Sequence, residues 1–192
     1  MEKLKLNKYN IILASGSPRR QQFLQDLQLD FTIDVREIEE VFPNILKRTE
    51  ITDFLAKLKS KPFTDLNDND LLITSDTIVW LNNEAIGKPK DRNDAIKILN
   101  QLSGNMHEVI TSICFKTTKS MKLINDVTKV YFKDLSKNEI EYYVDNFQPY
   151  DKAGSYGIQD WIGYIGVEKI EGSYFNVMGF PVHKFHQEML KY

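Results

Sequence analysis

The segment that most constrains the fold is residues 71–81, LLITSDTIVWL, an apolar and β-branched run with a single charged residue inside it. Such side chains favour strands, and so continuous a run predicts a strand buried within a sheet. A carboxylate there must lose its hydration, which is costly unless the group is paired or neutralised. Asp76 is therefore either a strand-end aspartate that accepts a backbone N–H, or a metal ligand or general base in a site.

Strands and helices mix along the rest of the chain. Apolar runs predict strands at residues 9–14, 31–35, 84–86, 107–115, 122–132 and 163–170. Helical periodicity with capping signals predicts helices at residues 18–29, 49–58, 92–102, 137–147 and 181–192. The neighbouring β runs after Gly104 predict antiparallel pairing, so we expect an α/β fold with a mixed sheet rather than a strict succession of βαβ units.

Length and charge narrow the range of functions. A chain of 192 residues suggests one domain over residues 1–192, or at most two small lobes. The 25 basic and 27 acidic residues leave a net charge of −2, which argues against a nucleic-acid polymer as partner. One cysteine, Cys114, excludes an internal disulfide and fits a reducing compartment.

The sequence pattern predicts neither a secretory signal nor a membrane span. No apolar run approaches the roughly 18 residues of a membrane span, and the apolar stretch at residues 11–14 is too short for a secretory signal. We therefore expect a cytoplasmic protein with no membrane partner. Base rates for soluble enzymes are compatible with a homodimer.

The first predicted strand leads into the first helix through ASGSPRR, residues 14–20. Small residues let the backbone approach a ligand, and the free N–H groups of a helix N-terminus bind anions. Two arginines in the first turn are unfavourable beside the positive end of the helix dipole, unless a polyphosphate binds there. The alternative is a plain helix cap with solvated arginines. A bound polyphosphate would contact Ser15, Gly16, Ser17, Arg19 and Arg20.

Three further features allow two interpretations each. Lys88 lies between Gly87 and Pro89, which suits either an ordinary turn or a clamp on a phosphate. Residues 151–160, DKAGSYGIQD, are either a glycine-punctuated connection or a site loop in which Gln159 reads a base edge. The acidic cluster after the second strand is either a solvated face or the source of one metal ligand, and it comprises Glu37, Glu39 and Glu40.

Taken in order, six segments between residues 13 and 181 resemble the Maf family of nucleoside triphosphate pyrophosphatases. They are LASGSPRR, SDTIV, GKPKD, LSGNMHEVIT, DKAGSYGIQD and GSYFNVMGFP. The resemblance implies a bent mixed sheet flanked by helices, and two lobes with a nucleotide cleft. It also implies similarity to inosine triphosphate pyrophosphatase-like folds.

The same resemblance implies a reaction and its residues. Maf proteins split a nucleoside triphosphate between its α and β phosphates with a divalent cation, Mg²⁺ or Mn²⁺. Asp76 falls on the family's catalytic proton acceptor, and the family's early acidic residue falls on Glu40, or less securely on Glu39. Because Mg²⁺ and Mn²⁺ prefer oxygen ligands, we expect Asp76 and Glu40 to bind the cation. Lys59 and Lys88 fall on the family's lysines. The positions associated with substrate choice correspond to Arg19, Thr77 and Gln159.

The DKAGxYGIQ form resembles the branch that acts on dTTP and UTP. Two positions depart from the family pattern: Ser60 replaces an alanine, and Gln148 replaces a glutamate, which puts fine specificity rather than chemistry in question. Two alternatives stay open, a broad house-cleaning pyrophosphatase for non-standard nucleotides and a nucleotide-responsive cell-division regulator without significant turnover. The intact Asp76, Lys88 and Arg19 favour catalysis.

Overall fold

A computed structural model describes residues 8–192, so residues 1–7 of the expected domain lie outside it. The strands are β1 (Asn10–Leu13), β2 (Phe31–Ile33), β3 (Asp70–Leu81), β4 (Glu84–Ile86), β5 (Met106–Lys116), β6 (Met121–Phe132) and β7 (Val167–Glu171). The helices are α1 (Pro18–Asp26), α2 (Thr49–Lys59), α3 (Arg92–Leu102), α4 (Lys137–Phe147), α5 (Trp161–Gly166), α6 (Tyr174–Val177) and α7 (Val182–Met189). Within residues 8–192, one 3₁₀ turn spans Ala153–Ser155.

The seven strands form one mixed sheet in the order β2-β1-β3-β5-β6-β7, with β4 beside β3. β1 runs parallel to both β2 and β3, so that Ile12 lies opposite Thr32 and Leu72. β4 is antiparallel to β3, and β7 is antiparallel to β6. The predicted mixed α/β class is confirmed, and β3 lies inside the sheet, which explains why it is apolar on both faces.

The chain divides into two compact units. The first comprises the residues up to Asp76 together with Thr111–Asp126 and Gly179–Tyr192, and the second comprises Thr77–Ile110 and Val127–Met178. In the first unit, Phe180 packs against Phe23 and Phe185, with ring centroids 6.2 and 4.9 Å apart. The core of the second unit includes Leu99, Leu102, Val130, Phe132, Ile140, Tyr143, Val144 and Ile162.

The helix starts that carry capping signals are confirmed. Asp91 accepts the N–H of Asp94 at the start of α3, at 2.9 Å. Ser136 and Glu139 form a complete capping box at the start of α4. No helix in the described part of the chain is long and apolar enough to cross a membrane.

The predicted strand at residues 163–170 is wrong in its first half. Residues 161–166 form α5, and β7 begins only at Val167. The N–H of Gly163 donates to the carbonyl of Asp160 at 2.9 Å, which closes a helical turn. A Cβ at Gly163 would collide with the backbone of Ile158, so close packing requires glycine there. The sequence prediction fails here because Gly163 lies in a short apolar run, and such a run is typical of a strand as well as of a tightly packed helical turn.

Candidate active site

Lys59 joins two carboxylates in the first unit. Asp76 lies within β3, and its side chain is 8% exposed. Lys59 ends α2 and places its Nζ 2.7 Å from Oδ1 of Asp76 and 2.9 Å from Oε2 of Glu40. The three charged groups thus meet at one ammonium group, although they come from three separate segments of the chain.

Burial sets the acidity of Asp76. Loss of hydration raises the pKa of this carboxyl above its ordinary value, and this is the largest effect. The positive charge and the hydrogen bond of Lys59 act against it, and so does the charge of Arg20. A buried carboxylate kept close to cations suits a general base that takes a proton from water.

Arg20 is half-buried, and its guanidinium donates hydrogen bonds to backbone carbonyls. Its Nε donates to the carbonyl of Gly179 at 3.1 Å, and its Nη1 donates to the carbonyl of Ser75 at 2.8 Å. Nη1 also lies 3.5 Å from Oγ of Ser15. Burial lowers the pKa of Arg20 to about 10, and the negative charge of Asp76 opposes that shift. The guanidinium therefore ties the ASGSPRR turn to the strand position next to Asp76.

The ASGSPRR turn keeps the groups that would meet a phosphate. Pro18 begins α1 as predicted, but the hydroxyl of Ser17 makes no capping hydrogen bond within the described residues. Instead, the N–H of Ser17 points to Oγ of Ser15 at 3.3 Å. A Cβ added at Gly16 would meet no atom of the described chain within 4 Å, so the space above this glycine is open. Arg19 is half-buried in the first turn of α1.

The remaining predicted residues belong to the second unit. Thr77 follows Asp76 on β3, and Lys88 is exposed in the loop after β4. The N–H of Gly154 donates to the carbonyl of Gly87 at 3.0 Å, so the GKP segment and the DKAG loop are joined. Oε1 of Gln159 is buried and accepts no hydrogen bond within residues 8–192. Such an orphaned acceptor is costly unless a ligand or water satisfies it.

The donor set fits a divalent cation shared with a substrate. Asp76 and Glu40 offer carboxylate oxygens close to one point, and the buried Oγ of Ser75 has no partner within the described chain. Over residues 8–192 there is no group of three or more His, Cys, Asp or Glu that could hold a metal by itself. Mg²⁺ is commonly held by one or two carboxylates and by substrate phosphates, so two protein ligands are sufficient.

The structure also distinguishes the three glutamates of the acidic cluster. Glu40 forms the ion pair with Lys59, at 2.9 Å. All three are exposed, but neither Glu37 nor Glu39 has an ion pair within the described part of the molecule. Glu40 is therefore the member that the fold brings to Asp76, in agreement with the position that the resemblance favoured.

The sequence analysis did not identify one residue that contacts the loop at residues 151–160. Tyr143 of α4 is fully buried, and its hydroxyl contacts both Gly157 and Asp160 in the DKAG loop. Its spacing within an amphipathic helix predicts only a core position. No local signal identifies a hydroxyl group that bonds to a loop 14 residues further along the chain.

Comparisons with known proteins agree with the resemblance. A family model described as Maf-like protein matches residues 10–192. A dTTP/UTP pyrophosphatase of Flavobacterium johnsoniae is 57% identical over 188 residues, covering 97% of each chain. A dTTP/UTP pyrophosphatase of Bacteroides fragilis is 47% identical over 186 residues, covering 96% of each chain. The fold is also similar to a solved HAM1 protein from Coxiella burnetii, with a TM-score of 0.53, 15% identity and coverage of 96% of this chain and 100% of the other.

Proposed function

The chain belongs to the Maf family, and from this premise we propose that it hydrolyses dTTP and UTP to the nucleoside monophosphate and pyrophosphate. The names of relatives that are 44–57% identical over almost the whole chain support this substrate pair. The observation that carries the proposal is the buried carboxylate of Asp76, held by Lys59 beside Glu40. Such a group has little value in a protein that only binds nucleotides.

Hydrolysis of a triphosphate depends mainly on positioning and on neutralising charge. In the proposed reaction, Asp76 accepts a proton from the attacking water while the bond between the α and β phosphates breaks. Lys59 and Lys88, with Arg19 and Arg20, offset the charge of the phosphates and of the departing pyrophosphate.

A divalent cation fits the same site. Asp76 and Glu40 would hold it, and when bound it would supply charge neutralisation at the phosphate oxygens. The N–H groups at Ser15 and Gly16 would bind the triphosphate directly, and the N–H of Ser17 would do so in place of its bond to Oγ of Ser15.

Base recognition is assigned to three residues, Arg19, Thr77 and Gln159. The amide of Gln159 has an acceptor beside a donor, which matches the N3–H and a carbonyl of uracil or thymine. Its buried Oε1, which accepts no hydrogen bond within residues 8–192, supports this role. The cytoplasmic location and the homodimer stay predictions.

The test is pyrophosphate release from the purified protein, measured with dTTP, UTP, CTP, dGTP, ITP and 7-methyl-GTP. We expect dTTP and UTP to be preferred. Asp76→Asn should lower kcat by at least about 100-fold, the lower end of what a general base contributes. Asp68→Asn, an exposed carboxylate of the same unit, is the matched control and should leave turnover unchanged.

Each other outcome points to a different conclusion. Near-normal turnover by Asp76→Asn would exclude the role given to this residue. A clear preference for ITP or 7-methyl-GTP would overturn the base assignment, and similar rates on many non-standard nucleotides would favour the house-cleaning alternative. Tight binding without turnover by the unaltered protein would favour the regulator.

A further inference from the structure

The hydroxyl group of Tyr143, in the second unit, forms hydrogen bonds with two residues of the 151–160 loop. It accepts the N–H of Gly157 at 3.1 Å and donates to Oδ2 of Asp160 at 2.8 Å. The Tyr143 side chain is fully buried, and its ring stacks on Phe147, one helical turn further along α4. Because the ring is fixed by packing, the hydroxyl has a defined position from which to hold the loop.

The two residues held by Tyr143 are the two ends of one tight turn. The N–H of Asp160 donates to the carbonyl of Gly157 at 3.0 Å, and Ile158 and Gln159 lie between them. A Cβ at Gly157 would lie 2.5 Å from Oδ2 of Asp160, so the carboxylate occupies the space of the missing side chain. Gln159 thus stands at the third position of a turn whose first and last residues bond to one hydroxyl group.

The loop is also attached just before this turn. Nε2 of His107, from β5, lies 2.7 Å from the hydroxyl of Tyr156, and both side chains are buried. Burial lowers the pKa of His107 to about 3, so its ring is neutral near pH 7. Lys152, at the start of the loop, places Nζ 3.7 Å from Oδ2 of Asp160. The loop therefore has a defined conformation before any ligand arrives.

We infer that Tyr143 is a positioning residue for base recognition, whose hydroxyl fixes the Gly157–Asp160 turn and thereby the direction of the Gln159 amide. The inference rests on the proposed function, in which Gln159 contacts the base. Tyr143 has no contact with substrate in this scheme and acts only through Gln159. Loss of this hydroxyl would remove both bonds at once, because Gly157 and Asp160 share it.

Loss of this hydroxyl should weaken substrate binding. Without it, the glycine-containing turn samples more conformations, and substrate must order the turn as it binds. In the proposed function the chemistry takes place at Asp76, which belongs to the other unit. A Tyr143 variant should therefore raise KM for substrates read by Gln159 and change kcat little.

The experiment compares Tyr143→Phe with Tyr142→Phe. Tyr142 is the neighbouring residue of α4, half exposed, with its ring packed against Trp161 at 4.9 Å. We expect Tyr143→Phe to raise KM for dTTP and UTP roughly tenfold with kcat within about twofold, a change in binding of the size expected when a buried hydrogen-bonding group is lost. Tyr142→Phe should match the unaltered protein in both constants.

A double-mutant cycle with Gln159→Ala tests whether Tyr143 acts through Gln159. If it does, Tyr143→Phe should change KM less than about twofold in a Gln159→Ala background. Asp160→Asn, which keeps an acceptor oxygen, should preserve more of the wild-type KM than Asp160→Ala. Additive effects of the Tyr143 and Gln159 substitutions on KM would overturn the inference. A lower kcat together with a lower melting temperature, and no change in KM, would also overturn it.

The two proposals fail in different ways. Failure of the unaltered protein to hydrolyse dTTP and UTP would refute the proposed function and, with it, the substrates named here. Normal activity of the unaltered protein, combined with Tyr143→Phe behaving like Tyr142→Phe, would refute only the positioning role.

Discussion

Replacing Lys59 by methionine would leave the carboxylate of Asp76 without its closest cation. Asp76 is 8% exposed and Lys59 is 19% exposed, and their charged atoms are 2.7 Å apart. Removing one partner of a buried pair costs about 3–5 kcal/mol, and Lys59 is partly hydrated while Arg20 stays nearby. We therefore expect a loss of about 3 kcal/mol in the free energy of unfolding, near the lower end of that range. For a chain of this length, that corresponds to a fall of roughly 6–12 °C in Tm.

The loss should depend on pH in a defined direction. Burial already raises the pKa of Asp76 in the folded protein above its ordinary value of 3.8, and removing Lys59 raises it further. A carboxyl with a raised folded-state pKa destabilises the fold increasingly as pH rises from its unfolded value through its folded value. The difference in stability between wild type and Lys59→Met should therefore be largest at pH 8. It should shrink as the pH falls toward 3.8.

The assay is thermal unfolding of purified variants between pH 4.5 and pH 8. Lys57→Met is the matched control, since Lys57 is exposed and lies in the same last turn of α2. Both lysines interact with the same helix dipole, so the control removes that contribution. Asp76→Asn should restore most of the stability lost in Lys59→Met. Equal effects of Lys57→Met and Lys59→Met, or a difference that does not change with pH, would refute the electrostatic reasoning.

Two further predictions concern α4 and the cation. Ser136→Ala removes the hydroxyl of the capping box and should lower the free energy of unfolding by about 1 kcal/mol. The measurement is urea unfolding, and the comparison variant is Ser120→Ala, at a serine in a turn. Chelation with EDTA should abolish pyrophosphate release, and added Mg²⁺ or Mn²⁺ should restore it; full activity in EDTA would show that Asp76 and Glu40 work without a metal.

The sequence predicts well those features that depend on neighbouring residues. Strand β3 and the capping box at Ser136 follow from patterns within a few positions, and both are observed. Long-range contacts are different. Arg20 bonds to the carbonyl of Gly179, 159 residues away, and no periodicity links the two. Such contacts are decided by how the sheet assembles, which local patterns do not encode.

The sequence-based prediction of the site shows the same division. Asp76 stands out as a charge in an apolar strand, so residue type and context are enough to find it. Lys59 lies near the end of an ordinary helix, and Glu40 is one of three similar glutamates, so only the resemblance identified them. The structure gives an independent reason, because Lys59 forms ion pairs with both Glu40 and Asp76.

Charge balance connects the site to the near-neutral composition. Asp76 and Glu40 face Lys59, and Arg20 lies close enough to Asp76 for its charge to affect the pKa of that carboxyl. These two acids and two bases offset each other, so this cluster by itself has little excess positive charge to hold a free triphosphate. In the proposed function, a nucleotide accompanied by a divalent cation would bring the missing positive charge, and the two carboxylates would then act as ligands rather than as a source of repulsion. The net charge of −2 is therefore compatible with a phosphate substrate, provided that a metal accompanies it.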